Sequence, residues 1–333
     1  MADVTITLGC WNYDRTRPLI DGRVGVEGCT VAPVVLRTEQ LFPRAFQRQE
    51  FDVSELSVSS YILQVSRREC AYVAIPVFPS RAFRHACVYV RTDRAIHEPK
   101  DLEGKVVGVP EYQMTLALWV RGILQDLYGV DFRTIRYRTG GTNAPGRTER
   151  LPLRLPVHMD VQPIPEGRCL NDLLVTGELD AVMTPSPPLA FGLRTPLVRR
   201  LFSNVAEAER AYYRDTGFFP IMHVVGVRRS LAEQYPWLPV NLFKAFVAAK
   251  ALAMRELDDI ARGNANRITL PWFAAEWDAT RSLMGDDFWS YGLPANHREV
   301  ETLCRYSREQ YLSEREMLVE ELFEPQTLTL SGA

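Results

Sequence analysis

The sequence predicts an α/β protein with two lobes, a cleft between the lobes and a helical C-terminal part. The first observation behind this prediction is the length of 333 residues, which suits about two domains at roughly 150 residues each. Second, short β-rich runs alternate with helical patterns as far as residue 227, an order typical of a mainly parallel sheet. Third, almost every pattern after residue 227 is helical.

In the first lobe, the β-rich runs that we predict as strands are residues 5–10, 30–36, 51–56, 73–77 and 86–90. Helices are predicted for residues 38–48 and 57–66. Thr38 is a suitable N-cap for the first helix, and Leu41, Ala45 and Phe46 recur at helical spacing inside it. The second helix begins in a serine-rich stretch.

In the second lobe, strands are predicted for residues 105–109, 132–137 and 180–184, and helices for residues 114–128 and 169–176. Gly129 and Gly177 follow these helices, where a left-handed residue commonly ends a helix. Residues 138–156 are rich in glycine, proline and arginine and predict a long irregular loop, which is usually functional. A last strand at 221–227 precedes the helical part, whose clearest helix is 240–257.

This order of elements predicts a discontinuous first lobe. Residues 1–92 and 222–333 would form it, and residues 93–221 would form the second lobe. The chain would cross between the lobes near residues 91–93 and 220–222. A ligand is then expected in the cleft, near the carboxyl ends of the strands.

The composition indicates an ordinary globular protein. Hydrophobic residues make up 46% and charged residues 24%, and the formal net charge is −2. We therefore expect neither nucleic-acid binding nor membrane binding. The sequence shows no secretory signal, and its six cysteines have no metal-binding spacing, which favours a reducing, cytoplasmic location. No metal site is expected, and the sequence leaves a homo-oligomer open.

Several segments together are similar to one known family. They are GCWNYDRTRPLIDGRV, FDVSELSVSSYI, AIPVFPSRAFRHACVYV, DLEGKVVGVPEYQMTLALWVRGIL, LNDLLVTGELDAVMTP and GFFPIMHVVGVRR. In these segments the chain resembles the 4,5-dihydroxyphthalate decarboxylase family, whose fold is of the type II periplasmic-binding-protein-like class. The resemblance extends from about residue 5 to about residue 250.

The resemblance implies a carboxy-lyase of phthalate catabolism that needs no cofactor. Its substrate would be an aromatic dicarboxylate, 4,5-dihydroxyphthalate, and its products 3,4-dihydroxybenzoate and carbon dioxide. Three alternatives share the fold: the solute-binding protein of a carboxylate transporter, the effector domain of a regulator, and another cytoplasmic enzyme. The absence of a signal argues against the first, and the absence of a preceding DNA-binding segment argues against the second.

Decarboxylation of an aryl acid requires a proton at the ring carbon that loses its carboxylate, and a base near the catechol. The candidates for these roles are His223, His85 and Glu55. His223 lies at the second crossing, and His85 lies among arginines near the first. Glu55 beside the serine-rich junction is either a base or a buried structural carboxylate.

Cations and helix starts are the candidates for binding the substrate. Arg15 and Arg17 follow the first strand, and arginine suits a planar carboxylate; we favour Arg15, with Asp14 orienting it. A surface ion pair is the alternative for both arginines. The other candidates are Ser57, Ser59 and Ser60 at one helix start, Gln113, Met114 and Thr115 at another, and Arg81, Arg147 and Thr184. Simple helix capping and solvated arginines are the competing interpretations of these groups.

Overall fold

The computed structural model describes residues 4–192, 196–263 and 267–332, and the chain divides into two compact units. Unit 1 comprises Met1–Arg81, Ile221–Glu301 and Met317–Ala333. Unit 2 comprises Ala82–Pro220 and Thr302–Glu316. The chain passes from one unit to the other after Arg81, Pro220, Glu301 and Glu316. The division into lobes near residues 91–93 and 220–222 stays a prediction.

Unit 1 contains a five-stranded sheet in the order β2-β1-β3-β11-β4. Its strands are β1 (Val4–Cys10), β2 (Cys29–Val35), β3 (Val53–Ser57), β4 (Tyr72–Arg81) and β11 (Ile221–Arg228). β1 runs parallel to β2 and β3, whereas β11 is antiparallel to both β3 and β4. The sheet is therefore mixed rather than mainly parallel, because the returning strand β11 is inserted between β3 and β4 in the opposite direction.

Helices pack around this sheet. They are α1 (Arg17–Ile20), α2 (Thr38–Arg48), α3 (Val58–Ser66), α8 (Arg229–Gln234), α9 (Leu238–Ala261), α10 (Phe273–Met284) and α11 (Leu293–Glu309), whose last residues belong to unit 2. All nine residues of α3 are buried, including its polar residues Ser59, Ser60, Gln64 and Ser66. α9 buries Leu242, Phe243, Phe246 and Ala249. No helix among the described residues is long and apolar enough to cross a membrane.

Unit 2 contains a six-stranded sheet in the order β10-β5-β9-β6-β7-β8. Its strands are β5 (Val88–Arg91), β6 (Val106–Val109), β7 (Arg136–Thr139), β8 (Val161–Pro163), β9 (Ala181–Met183) and β10 (Val198–Arg200). β6 is parallel to β7 and β9, and β7 is parallel to β8. β5 is antiparallel to β9 and β10, so this sheet is also mixed.

The described part of unit 2 contains the α-helices α4 (Thr115–Tyr128), α5 (Leu170–Thr176), α6 (Leu189–Gly192) and α7 (Val205–Thr216). Gly129 ends α4 with a φ of 64°, a conformation that glycine adopts at little cost. Between β7 and β8, residues 140–160 have no helix or strand, which confirms the predicted loop for most of its length.

Candidate active site

A fully buried carboxylate, Glu55, lies in the middle of β3. A charged group without access to water requires partners, because desolvation strongly disfavours its ionised form. The backbone N–H of Trp11 donates to Oε2 at 3.0 Å, and the Tyr13 hydroxyl donates to Oε1 at 2.6 Å. Both donors belong to the segment that follows β1, and β1 is a neighbour of β3 in the sheet, so the middle of one strand and the segment after the other build this site.

His223 is the third partner of Glu55. It lies on β11 opposite Ser57, and this pairing brings its Nδ1 to 2.6 Å from Glu55 Oε1. The ring also contacts the ring of Phe42 edge-on at a centroid distance of 4.9 Å. All hydrogen bonds of His223 to described residues involve Nδ1, and 15% of its side chain is exposed. Nε2 is therefore the ring nitrogen that remains available to a ligand.

The charges around Glu55 fix the direction of these hydrogen bonds. Burial alone would raise the pKa of Glu55, but the hydrogen bond and charge of His223, with the bonds from Tyr13 and Trp11, lower it overall. Burial, and then the negative charge of Glu55, raise the pKa of Tyr13. Glu55 is thus an ionised acceptor, and the Tyr13 hydroxyl stays protonated and donates a hydrogen bond to it. His223 then carries its proton on Nδ1, and Nε2 can accept or deliver a second one.

Arg15 lies in the same unit and is held from several sides. Its Nε donates to the carbonyl oxygen of Pro79 at 2.7 Å, and its Nη1 pairs with Asp14 at 2.9 Å. The guanidinium lies 3.7 Å from the ring centroid of Trp289 and 4.4 Å from that of Tyr13. Asp14 thus forms an ion pair with Arg15, and its role in orienting Arg15 toward a substrate stays a prediction. A planar cation fixed in this way is prepared to bind a carboxylate.

Arg17 is more exposed than Arg15 and is the first residue of the short helix α1. Its Nε donates to the side-chain oxygen of Asn12 at 3.1 Å. Among the described residues, Arg17 forms no hydrogen bond with Glu55 or His223. Its part in substrate binding stays a prediction.

The three predicted serines lie together at the start of α3. Ser57 ends β3, and its hydroxyl lies 3.4 Å from those of Ser59 and Ser60; all three residues are buried. Because Ser57 pairs with His223 across the strands, the N-terminal end of α3 and the Glu55–His223 pair belong to the same part of unit 1. The backbone N–H groups at a helix start favour an anion.

Arg81 and His85 lie in different units, because Arg81 is the last residue of β4 in unit 1 and His85 belongs to unit 2. Arg81 is buried, with its Nη1 3.0 Å from a carboxylate oxygen of Glu299. Its Nη2 donates to the carbonyl oxygen of Ser290 at 3.0 Å and also to the side chain of Asn296. Its substrate-binding role remains a prediction, and these bonds commit most of its donors to the protein.

His85 is 2% exposed, and neither ring nitrogen has a hydrogen-bond partner among the described residues. Its ring packs against those of Phe202 and Tyr212 at centroid distances of 5.0 and 5.5 Å. Burial lowers the pKa of His85 to about 4, so that the ring is neutral near neutral pH. Its predicted proton transfer is likewise untested.

In unit 2, the predicted residues at the start of α4 are joined to the long loop. Gln113 donates from Nε2 to the carbonyl oxygen of Leu151 at 2.8 Å and to Glu149 at 3.1 Å. Met114 is the N-cap residue of α4, and Thr115 is its first residue. Burial raises the pKa of Glu149 despite the bonds from Tyr112 and Gln113.

Arg147 is bound to Glu111, which follows β6. Its Nη2 and Nε lie 2.7 and 2.9 Å from Glu111 Oε1, an oxygen that Arg150 contacts as well. Elsewhere in this unit, the hydroxyl of Thr184 lies 2.7 Å from that of Thr142. The loop that carries Arg147 is therefore anchored by ion pairs in unit 2.

Sequence reasoning missed two contributors to the site. Tyr13 lies inside the CWNYDRTRPLIDGRV stretch, where its distance from two arginines is visible but its bond to Glu55 is not. Trp289 follows α10, and no sequence pattern around it indicates a role in the site, because only the fold brings its ring to Arg15. The described residues contain no group of three His, Cys, Asp or Glu that would hold a metal ion.

Solved structures of periplasmic binding proteins share the fold. The alkanesulfonate-binding protein SsuA of Xanthomonas axonopodis pv. citri, bound to MOPS, matches with a TM-score of 0.54 at 11% identity, over 97% of this chain and 99% of its own. The sulphonate-binding protein SsuA of Escherichia coli matches with a TM-score of 0.54 at 12% identity, over 98% of this chain and 99% of its own. A variant of DSZB in complex with biphenyl-2-sulfinic acid matches with a TM-score of 0.53 at 16% identity, over 98% of both chains. The chain thus has the periplasmic-binding-protein-like fold that the sequence predicts.

Comparison with proteins of similar sequence shows the family of the chain as well as its fold. No family model matches the chain. A 4,5-dihydroxyphthalate decarboxylase of Comamonas testosteroni is 43% identical over 328 residues, which cover 98% of this chain and 98% of the relative. A second protein of that name, from Pseudomonas putida, is 39% identical over 214 residues, 64% of this chain and 83% of the relative. The chain therefore belongs to the 4,5-dihydroxyphthalate decarboxylase family.

Proposed function

We propose that this protein decarboxylates 4,5-dihydroxyphthalate to 3,4-dihydroxybenzoate and carbon dioxide, as a carboxy-lyase of phthalate catabolism. The observation that carries the proposal is the full-length relative of the same name, at 43% identity over 98% of both chains. The buried Glu55–His223 pair supports it, because it supplies the proton-transfer group that this reaction requires.

The reaction consumes one proton and releases one molecule of carbon dioxide. A proton bonds to the ring carbon that carries the departing carboxylate, aided by electron density from the hydroxyl group para to that carbon. The bond between the ring and the carboxylate then breaks, and its electron pair restores the aromatic ring. The enzyme must therefore deliver a proton to carbon and hold the retained carboxylate in place.

We assign the proton delivery to His223 through Nε2. Glu55 accepts from Nδ1 and stabilises the imidazolium form that must exist before the transfer. Arg15 would hold the retained carboxylate, and the α3 start with Ser57, Ser59 and Ser60 would bind a second anionic group. Gln113, Met114, Thr115, Arg147 and Thr184 remain proposed substrate-binding groups of unit 2.

Other parts of the proposal rest on the sequence alone. We propose a cytoplasmic location and no added cofactor, and we leave the oligomeric state to measurement. The second candidate function is that of a solute-binding protein, because the SsuA structures with the same fold are binding proteins. Turnover separates the two functions.

The test is incubation of the purified protein with 4,5-dihydroxyphthalate, followed by chromatography of the products and measurement of carbon dioxide. We expect 3,4-dihydroxybenzoate and carbon dioxide in equal amounts. Phthalate is the control substrate, because it lacks the para hydroxyl group and should not react. Tight binding of 4,5-dihydroxyphthalate without product would favour the solute-binding protein.

A further inference from the structure

One oxygen of Glu55 serves two partners. Tyr13 Oη and His223 Nδ1 each lie 2.6 Å from Oε1, and the two donors lie 3.5 Å from each other. The second oxygen, Oε2, is bound by the backbone N–H of Trp11 at 3.0 Å. Tyr13 and His223 therefore compete for the negative charge on the same atom.

From this geometry we propose that Tyr13 is a positioning residue that sets the proton affinity of His223 through Glu55. The Tyr13 hydroxyl draws part of the charge of Oε1 toward itself, so that less of it stabilises the His223 imidazolium. A histidine with a lower proton affinity gives up its proton to carbon more readily. The consequence for turnover rests on the proposed function, whereas the hydrogen-bond arrangement does not.

The other titratable groups near this pair do not change charge in the pH range where histidine titrates. Burial raises the pKa of the Cys10 thiol at the end of β1 and that of Tyr291 before α11, so both stay neutral. Arg15 is a permanent cation. The hydroxyl of Ser80 on β4 hydrogen-bonds to Tyr13 and is uncharged. Glu55 and Tyr13 are thus the groups through which His223 is adjusted.

Replacing Tyr13 by phenylalanine removes the hydroxyl group and keeps the ring. Oε1 then accepts a hydrogen bond from His223 alone and stabilises its imidazolium form more strongly, so the midpoint measured in the titration described below should move to higher pH. Because the imidazolium is the active form of a proton donor, activity would persist to higher pH. The alkaline limb of the profile of kcat/KM against pH should therefore move to higher pH, by the same amount as the titration midpoint measured for His223.

The experiment is an NMR titration of the protein labelled with ¹⁵N in its histidine rings. The chain has five histidines, and His223→Gln identifies the signals of His223. The wild-type protein should show the Nδ1–H tautomer when His223 is neutral, and Tyr13→Phe should show the raised midpoint. Tyr72→Phe is the matched control, because it removes another buried hydroxyl of unit 1 that donates to the carbonyl oxygen of Phe51 at 2.9 Å.

Each outcome decides the proposal. An unchanged His223 midpoint in Tyr13→Phe, or an Nε2–H tautomer in the wild type, would overturn it. Tyr13→Met offers the same comparison if Tyr13→Phe does not fold. If neither variant folds while Tyr72→Phe does, Tyr13 is structural and the proposal fails. A raised midpoint in a protein that forms no 3,4-dihydroxybenzoate would overturn the proposed function and leave this inference standing.

Discussion

Glu55 and His223 are 168 residues apart in the sequence, yet their side chains lie 2.6 Å apart. The pairing of β11 with β3 brings them together, and the burial of Glu55 gives the contact its strength. In water, such a pair would gain little, because the solvent screens its charges. Inside β3, the carboxylate accepts hydrogen bonds from three donors, and one of these donors is the imidazole of His223.

The first prediction concerns His223. His223→Gln keeps a polar side chain of similar size but cannot carry a second proton, so kcat should fall by about 10²–10⁴-fold while KM changes little. Steady-state kinetics with 4,5-dihydroxyphthalate measure both constants, and circular dichroism verifies the fold. A kcat near that of the wild type would remove His223 from the chemistry.

The second prediction concerns Glu55. Glu55→Gln replaces an anion by a neutral amide, so the His223 imidazolium loses the charge that stabilises it. The alkaline limb of the kcat/KM profile should then move to lower pH, opposite to the shift expected for Tyr13→Phe. A limb that stays in place would show that Glu55 does not act through His223.

The third prediction concerns Arg15. Arg15→Ala removes a charge-assisted contact with the retained carboxylate, and KM should rise by about 10–100-fold, the loss expected for a hydrogen bond to a charged group. Arg44→Ala is the control, since Arg44 is an arginine of the same unit that pairs with Glu50. An unchanged KM in Arg15→Ala would end its assignment to the substrate.

At the residue scale, sequence reasoning found the candidates but not their partners. His223 was visible as a histidine in an apolar strand, and Glu55 as a carboxylate beside a serine-rich helix start. The bond between them depends on which strands become neighbours in the sheet. Neither local pattern contains that information, because strand pairing is decided by packing over the whole unit.

At the element scale, the sequence predicts helices well where their end signals are local. The predicted helix 38–48 coincides with α2, although its N-cap residue is Arg37 rather than Thr38, and the predicted helix 114–128 differs from α4 by one residue at its start. The directions of the strands are harder to predict. β11 has the apolar run of any buried strand, and only its neighbours show that it is antiparallel.

The fourth prediction tests how tightly β11 is held. A Cβ atom at Gly226 would lie 2.5 Å from Leu56 Cδ1 and 3.0 Å from Tyr72 Cβ, closer than carbon atoms approach each other. Gly226→Ala should therefore destabilise the protein by about 1–3 kcal/mol, as overpacking of a core does. It should also lower kcat, because β11 carries His223. Gly25→Ala, with no atom within 4 Å of its Cβ, is the control, and urea unfolding measures both variants.

At the scale of the whole molecule, unit 1 is assembled from three separate segments of the chain. The sequence predicts that the chain returns to the first lobe near residues 220–222, at the start of a β-rich run. It does not predict that residues 302–316 belong to unit 2, because the helical pattern of α11 continues through Glu301 without a break. Which unit a helical turn packs against is decided by tertiary contacts alone.

The ends of these segments meet at Glu299. Arg81 closes the first segment and donates to Glu299 Oε2 at 3.0 Å, while Ile221 opens the second and donates its backbone N–H to Oε1 at 2.6 Å. Burial raises the pKa of Glu299 to about 7, and the attraction of Arg81 offsets only part of that effect. The folded chain thus holds this proton at pH values where an unfolded chain, with a pKa near 4.5, has released it.

The fifth prediction follows from this difference in proton binding. Between about pH 4.5 and pH 7 the folded state binds more protons than the unfolded state, so the contribution of Glu299 to the free energy of unfolding falls as the pH rises, by at most about 3 kcal/mol. Glu299→Gln cannot titrate and retains an acceptor for the Ile221 N–H. Urea unfolding of both proteins at pH 5 and pH 7.5 should show the wild type losing stability relative to the variant. An equal difference at both pH values would mean that Glu299 is already ionised at pH 5, and that Arg81 stabilises its charge fully.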